Sequence, residues 1–375
     1  MTTLATAGAV LRIDLGALVE NYAIVGRQVA PARVAAVVKA DAYGIGAARA
    51  VDALADAGCR TFFVAVLDEA AALMPLLPPE AELFVLNGLQ PGAEAECAAI
   101  GAIPVLNSLD QIDRWSSLAR ARGQWLRGAL QVDTGMSRMG MSPQEVALLL
   151  GEPDRLRGVK PAMLMSHFAC ADEPDHPFNG EQAACFSRIA SGFPGLPRAL
   201  DNSGGAFLAQ DHLDIVRAGI ALYGGAPHGG ANPMRAVVSL EARIAQLRTV
   251  PVGTGIGYGL THRALRETRI ATIPVGYADG LPRTLGNRGS AFVAGIRVPM
   301  VGRVSMDSIT LDVTDVPERH LRPGAPVEIL GPNQTIDDLA RDAGTISYEI
   351  LTQLSRRYAR DYVPAAGLAL RSVAR

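Results

Sequence analysis

The sequence predicts an α/β protein, a (β/α)8 TIM barrel followed by a mostly β C-terminal domain. Three observations carry that prediction. Eight short β-rich apolar runs recur between residues 34 and 220, each ending in polar residues or glycine. Helix-like stretches lie between most of them, and continuous apolar strands alternating with helices form a parallel sheet. After about residue 235 the texture changes to β-branched runs separated by Gly and Pro turns, the mark of mostly antiparallel β structure. The predicted domains are residues 1–235, the barrel, and 236–375, the β-rich domain.

The eight runs are VAAVVKA (34–40), TFFVAV (61–66), LFVLNG (83–88), IPVLN (103–107), RGALQVD (127–133), AMLMSHF (162–168), ALDNSG (199–204) and IVRAGI (215–220). Eight strands in about 220 residues is the count and size of a closed barrel. A doubly wound open sheet is the alternative; it usually has fewer strands and a glycine-rich first turn, and G-x-G-x-x-G is absent. The intervening helices read as AARAVDALADAG (47–58), PGAEAECAAIG (91–101), SLDQIDRWSSLARA (108–121) and SPQEVALLLG (142–151). Several open on a Ser cap or an early Pro and several close on Gly, as helix ends favour. In the second domain VVSLEARIAQLRTV, TRIATIPVGYADG, SAFVAGIRVPMVGRVSMDSITLDV and PVEILG read as strands and turns. TIDDLARDAG, with its Thr cap and early acids, and SYEILTQLSRR read as short helices.

Composition narrows the function classes. Apolar residues make up 49% of the 375 and charged residues 19%, a globular balance with a large core. A formal net charge of −2 argues against nucleic acid or an anionic membrane as main partner. The opening MTTLATAGAVLRID has no basic stretch before an apolar one, so no signal peptide is expected. No apolar run approaches the ~20 residues that span a bilayer. Four scattered cysteines without a C-x-x-C pair predict a reduced, cytoplasmic protein.

Barrel chemistry gathers at the C-terminal ends of the strands. There the sequence puts Lys39 at the end of strand one with Tyr43 just after, and Asp133 and Arg138 after strand five. His167 ends strand six, Asn202 and Ser203 end strand seven, and Arg217, Gly219 and Tyr223 follow on strand eight. Ser203 and the N–H groups after Gly219 suit an anion, because barrel phosphate sites favour the last two strands. Burial against valines lowers the pKa of Lys39, freeing its amine as nucleophile and base. Each residue has a plainer role when taken alone: a strand-end lysine snorkelling to water, a hydrogen-bonded core histidine, an Asn-Ser-Gly-Gly turn. Their joint placement on one rim favours the chemical reading. Other chemistries fit less well. His167 and Cys170 lack further ligands at zinc spacing, G-x-S-x-G is absent, and GTGIGYG (253–259) does not match a phosphate-binding G-x-x-x-x-G-K-[ST] loop.

AVVKADAYG (36–44) closely resembles the pyridoxal-phosphate lysine motif of the alanine racemases. QVDTGMSRMG (131–140), SHFACAD (166–172), NSGG (202–205), VRAGIALYG (216–224), GYG (257–259), VGYADGLPR (275–283), VGRVSMD (301–307) and SYEILTQLSRR (347–357) resemble that family's other landmarks in the same order, over nearly the whole chain. The resemblance implies a homodimer whose sites are closed by the partner's β domain, with pyridoxal 5'-phosphate held covalently by Lys39. It implies two acid/base groups, Lys39 for the D-enantiomer and the partner's Tyr258 for the L-enantiomer. Tyr43, Ser203, Tyr348 and the backbone at Gly219 and Ile220 would hold the phosphate, with Asn202 beside them. Arg138 and the backbone of the partner's Met306 would hold the substrate carboxylate. His167 would link Arg217 to the partner's Tyr258. Arg217 would face the pyridine nitrogen; an arginine donates a hydrogen bond there without giving up its proton, which favours reprotonation at Cα over transamination. The implied role is D-alanine supply for peptidoglycan of the cell wall.

The chain departs from the family pattern at four places. Gln131 stands where many relatives carry a lysine, sometimes carbamylated, that orients the arginine equivalent to Arg138; a bound chloride or the Gln131 amide oxygen would take that role here. Ile45 replaces a histidine, Ala199 stands where some relatives place a histidine near Arg217, and Ser305 replaces a cysteine. A broader-specificity racemase acting on serine or basic amino acids is the alternative on the same fold. Tyr277 and Tyr348 match bulky residues that narrow the family's entrance and favour alanine. A non-catalytic cofactor carrier would need neither the β domain nor Tyr258, a decarboxylase is opposed by Arg217, and an aldolase would need metal ligands that the sequence does not assemble.

Overall fold

The structure, a computed structural model, describes residues 4–365. Eight parallel strands form the barrel sheet: Arg33–Val37, Thr61–Val64, Glu82–Val85, Ile103–Leu106, Leu126–Gln131, Val159–Met165, Arg198–Ala199 and Ile215–Ala218. The first strand pairs with both the second and the eighth. The seventh and eighth are joined by the Asp214 N–H on the Arg198 carbonyl (3.1 Å) and the Arg217 N–H on the Asp201 carbonyl (3.0 Å), which closes the ring. The strands are continuous apolar runs because both faces are covered, and Phe62, Phe63 and Phe84 are fully buried.

The helices form where their ends are signalled. Ser108 accepts the Gln111 N–H at the start of Leu109–Arg122, and Ser142 and Glu145 cap Pro143–Gly151 reciprocally. Gly101 and Gly123 close two helices in the left-handed conformation. The position beside the last strands is filled by Leu15–Val29, which packs against Gly205–Phe207 and Ile220–Tyr223. Its buried Asn21 fixes that docking, donating to the carbonyls of Leu222 (3.1 Å) and Arg235 (2.9 Å) and accepting the Arg235 N–H (2.7 Å).

One boundary differs from the sequence reading. Ala9–Asp14, assigned above to the barrel, lies in the six-stranded sheet of the second domain. It runs antiparallel to Val238–Arg243 and parallel to Ala359–Val363. Leu11 and Ile13 are fully buried in that sheet, a half-buried alternation unlike the barrel strands. Asp14 then caps Leu15–Val29, accepting the Ala17 N–H at 2.9 Å, so the chain passes from one domain to the other at a single residue. The rest of the second domain is mostly antiparallel, with a three-stranded sheet (Gln246–Val250, Thr268–Ile273, Ile309–Asp312) beside the larger one.

Ile336–Ala343 and Ser347–Gln353 form as helices and reach back over the barrel mouth. Asp337 ties them to the segment after the barrel, accepting the Ala226 N–H (3.1 Å), the Asn232 amide (2.9 Å) and the Ser347 hydroxyl. Gly44 is required at the contact. Its φ is +85°, and a Cβ there would lie 2.4 Å from the Leu351 carbonyl oxygen.

Candidate active site

A cavity of ≈ 630 Å³ opens at the C-terminal ends of the barrel strands. Its walls bring together Lys39, Tyr43, Gln131, Arg138, His167, Asn202, Ser203, Arg217, Gly219, Ile220 and Tyr348.

Lys39 does not belong to the strand itself, which ends at Val37. The next residues form a tight left-handed turn: Ala40, Asp41, Ala42 and Tyr43 have φ of 54, 55, 51 and 54°. The Ala42 N–H bonds the Val38 carbonyl (2.9 Å) and the Gly44 N–H the Ala40 carbonyl (2.8 Å). Non-glycine residues enter this region at roughly 1–2 kcal/mol each, so the turn stores strain beside the lysine. It carries the buried Tyr43 ring onto Tyr223, stacked at 4.5 Å, and within 6.0 Å of Tyr348. Tyr223 is anchored in turn by its hydroxyl on the Val37 carbonyl (2.8 Å). Burial, and then Arg138 and Arg217, hold the Lys39 amine below the ordinary lysine range, while Glu69 acts the other way.

One end of the cavity is a cluster of donors. The Ser203 hydroxyl oxygen accepts the N–H groups of Gly219 (2.8 Å) and Ala221 (3.3 Å), which fixes it against the last strand. A Cβ on Gly219 would lie 2.3 Å from the Tyr43 hydroxyl, so only glycine leaves this space open. Burial raises the Tyr43 phenol, and burial pushes the Tyr348 phenol up to about 12. Both keep their protons at neutral pH and can donate to an anion.

The other end is held by Arg217. Its guanidinium donates to the carbonyls of Ala199 (2.7 Å), Leu200 (3.2 Å) and Ser166, and to His167 Nδ1 (3.2 Å). Burial lowers it to about 10, so it remains a cation at neutral pH. Burial, with Arg217, Arg138 and Lys39 nearby, drives the His167 pKa well below the usual histidine value. The imidazole is therefore neutral, and its Nδ1 can accept from Arg217. The Ala199 side chain gives Arg217 nothing, but its carbonyl does. Beneath them lies Asp201, 1% exposed, held by His212 (2.7 Å) and Gln210 (3.1 Å). Residues 201–212 carry no signal of that cluster, since a nearby Asp, Gln and His read as an ordinary polar loop until the fold buries the carboxylate.

Two rim residues brace backbone. Asn202 caps the following turn, accepting the Gly205 N–H (2.9 Å), and its amide stands 3.4 Å from His167 Nε2. Asp133 accepts the N–H groups of Gly135 (2.8 Å) and Ser137 (3.1 Å), shaping the loop that presents Arg138. Gln131 is buried on the same wall, and among the described residues no hydrogen bond joins it to Arg138.

Tyr258 and Met306 do not reach this cavity. Tyr258 projects from the β domain, 71% exposed, on a turn between Gly257 and Gly259, both at φ +71°. It lines a second hollow of ≈ 560 Å³ with Arg303 and Ser305. Met306 is also exposed, its loop held by its carbonyl on the Ala278 N–H (3.0 Å). Among the described residues no His/Cys/Asp/Glu group could hold a metal ion, and no helix is long and apolar enough to cross a membrane.

Comparison with known proteins agrees with this geometry. Residues 13–227 match the family model of the alanine racemase N-terminal domain, and 237–362 that of the C-terminal domain. The chain is 54% identical to "Alanine racemase, catabolic" of Agrobacterium fabrum, over 94% of this chain and 92% of the relative. It is 51% identical to the alanine racemase of Rhodospirillum rubrum, over 95% of this chain and 96% of the relative. A crystal structure of alanine racemase from Bartonella henselae with covalently bound pyridoxal phosphate superposes with a TM-score of 0.92 at 41% identity, covering 95% of this chain and all of that one.

Proposed function

This chain belongs to the alanine racemase family, and we infer that it is an isomerase interconverting L- and D-alanine with pyridoxal phosphate as its cofactor. We further propose a two-base mechanism, with Lys39 on one face of the substrate and Tyr258 of a second copy on the other. The observation that carries the reading is the pairing, in one cavity, of a lysine held below its ordinary pKa with a cluster of proton-retaining donors.

The residues fit the cofactor. Tyr43, Tyr348, Ser203 and the backbone at Gly219 and Ile220 would hold a phosphate, and Lys39 would attach the aldehyde. Pyridoxal phosphate, when bound, supplies an electron sink that makes the α-proton of an attached amino acid labile. The protein supplies the rest. A depressed pKa leaves Lys39 a larger share of neutral amine at neutral pH, able to take or return a proton at Cα. Arg217, fixed by three carbonyls, donates hydrogen bonds and retains its own proton, which restrains side reactions. His167 accepts from Arg217 and keeps it aimed. Arg138 would bind the substrate carboxylate with the Met306 backbone of the second copy, and a chloride beside Gln131 would orient Arg138.

The exposed Tyr258, Leu260, Met306 and Tyr277 support a homodimer, since such apolar surface is ordinarily covered by another chain. The enzyme would work in the cytoplasm and supply D-alanine for peptidoglycan. The relative named catabolic favours a second physiological reading, consumption of D-alanine through the L-enantiomer. A deletion strain that needs D-alanine to grow supports the first; one that grows without it but cannot use D-alanine supports the second.

The chemistry is tested by proton NMR of the protein with pyridoxal phosphate and L-alanine in D2O, with chiral analysis. Deuterium at Cα together with D-alanine, both lost in Lys39→Ala, is the expected result. Alanine that stays protonated while serine or arginine exchanges would move the assignment to the broader-specificity alternative.

A further inference from the structure

We propose that Glu69 is a positioning residue for Lys39: its carboxylate crosslinks the ends of the first two barrel strands and caps the left-handed turn that aims the amine into the cavity. Glu69 lies in the first turn of Leu67–Leu73, the helix after the second strand. Its Oε2 accepts the Ala65 N–H at 2.8 Å, at the end of its own strand. Its Oε1 crosses to the neighbouring strand and accepts the Ala40 N–H at 2.6 Å. Ala40 is the first of the left-handed residues and directly follows Lys39.

The opening N–H groups of any helical turn have no acceptor inside it. At an ordinary helix that need is met by a cap from the same stretch of chain. Here the acceptor comes from a different element and is ionised, which makes the bond stronger. Within the turn the Asp41 Oδ1 accepts the N–H of Ala47 at 2.8 Å, which ties the turn to the start of the following helix, Ala47–Asp56. A strained turn persists only where its surroundings hold it. Without Glu69 the Ala40 N–H loses its acceptor, the backbone can relax towards the right-handed basin, and the Lys39 side chain swings with it. Glu69 also brings negative charge to the amine. Arg138 and Arg217 oppose protonation of Lys39, His167 beside them is neutral, and Glu69 favours protonation.

The inference rests on the reading of Lys39 as the amine of the site, and the test separates the two. The chain has two lysines, Lys39 and Lys160. Full-length protein freed of cofactor and carrying ε-carbon-labelled lysine therefore gives two lysine NMR signals, which Lys160→Arg identifies. Glu69→Gln keeps one acceptor oxygen but neither the charge nor the second acceptor; Glu69→Ala removes all three. The expected result is a displaced or split Lys39 signal in Glu69→Gln, with a titration midpoint lower by ~0.5 pH unit or more and an unmoved Lys160 signal. Uptake of added pyridoxal phosphate, followed by visible absorption, should slow about tenfold or more, the scale that a misplaced reacting group produces. A Lys39 signal, midpoint and uptake rate all within twofold of the parent would reduce Glu69 to an ordinary helix cap and overturn the proposal. Should Glu69→Ala not fold, Glu69→Gln alone decides. Parent protein that takes up no cofactor would overturn the reading of the site, while the lysine signals would still decide the role of Glu69.

Discussion

The wall that carries Lys39 and the surface that carries Tyr258 are built in opposite ways. At the barrel mouth Tyr43, Ser203 and Arg217 are buried and tied to backbone or to one another before any ligand arrives. On the β domain Tyr258 is 71% exposed, Met306 53% and Tyr277 43%. The difference is one of division of labour. On the two-base proposal, a single chain would hold the cofactor-gripping half in finished form and leave the opposing acid/base half as apolar surface for a second copy to cover.

The largest expected effect comes from the finished half. Lys39→Ala should abolish covalent cofactor attachment and lower racemisation by more than ~10⁴-fold, since nucleophile and base are lost together. Thermal unfolding of that variant should not suffer, because a half-buried amine at odds with its surroundings has gone. Tyr258→Phe should lower activity by ~10²–10⁴-fold and leave cofactor uptake unchanged. Refolding the two variants together sharpens the comparison. A mixed dimer holds one intact site, so random pairing should recover about a quarter of the parent activity. No recovery would mean that both residues serve the same chain's site.

Gly219→Ala attacks the donor cluster alone. The added methyl overlaps the Tyr43 hydroxyl, and overpacking of this kind typically costs ~1–3 kcal/mol, to be read as weaker cofactor binding in a spectroscopic titration. The smallest effect is one of pH. His167 has its folded pKa depressed, so on acidification the unfolded chain takes up the proton first. Stability should therefore fall as pH drops below about 6.5, by at most ~1.4 kcal/mol per pH unit from this residue. Glu, Asp and other His residues add their own slopes, so the quantity to measure is the difference between the parent and His167→Gln in denaturant titrations at pH 7 and pH 5. Identical slopes would mean that His167 is not held neutral by its surroundings.

Much of this was legible in the sequence, for physical reasons that differ by region. The barrel strands are readable because two-sided burial leaves uninterrupted apolar runs. The site residues on the barrel are readable because a parallel barrel sends every strand end to one rim. The apolar run before Lys39 makes it look like a strand residue, whereas the strand ends at Val37. The left-handed turn that carries it is built from Ala, Asp, Ala and Tyr, none of which announces positive φ as glycine would. Glu69 carries no signal in the sequence, because an acid in a first helical turn is ordinary and its second contact is to the end of another strand. Tyr258 and Met306 enter through family motifs alone, since nothing within a single chain brings them to the cavity. Ala9–Asp14 went to the wrong domain because its nearest sequence neighbours are barrel elements and its partner strands lie far along the chain.

That last misplacement has a consequence in time. Ala9–Asp14 is an interior strand of the six-stranded sheet, flanked by Val238–Arg243 and Ala359–Val363. During synthesis it leaves the ribosome well before either partner strand, the nearer of which follows more than two hundred residues later. At ~5–20 residues per second that is a wait of roughly ten to forty-five seconds, with both hydrogen-bonding edges of the strand unpaired. The barrel can close in that interval and the second domain cannot. Folding of the β domain is thereby made to wait for Ala359–Val363, and on the two-base proposal the surface that a second copy would supply is the last to form.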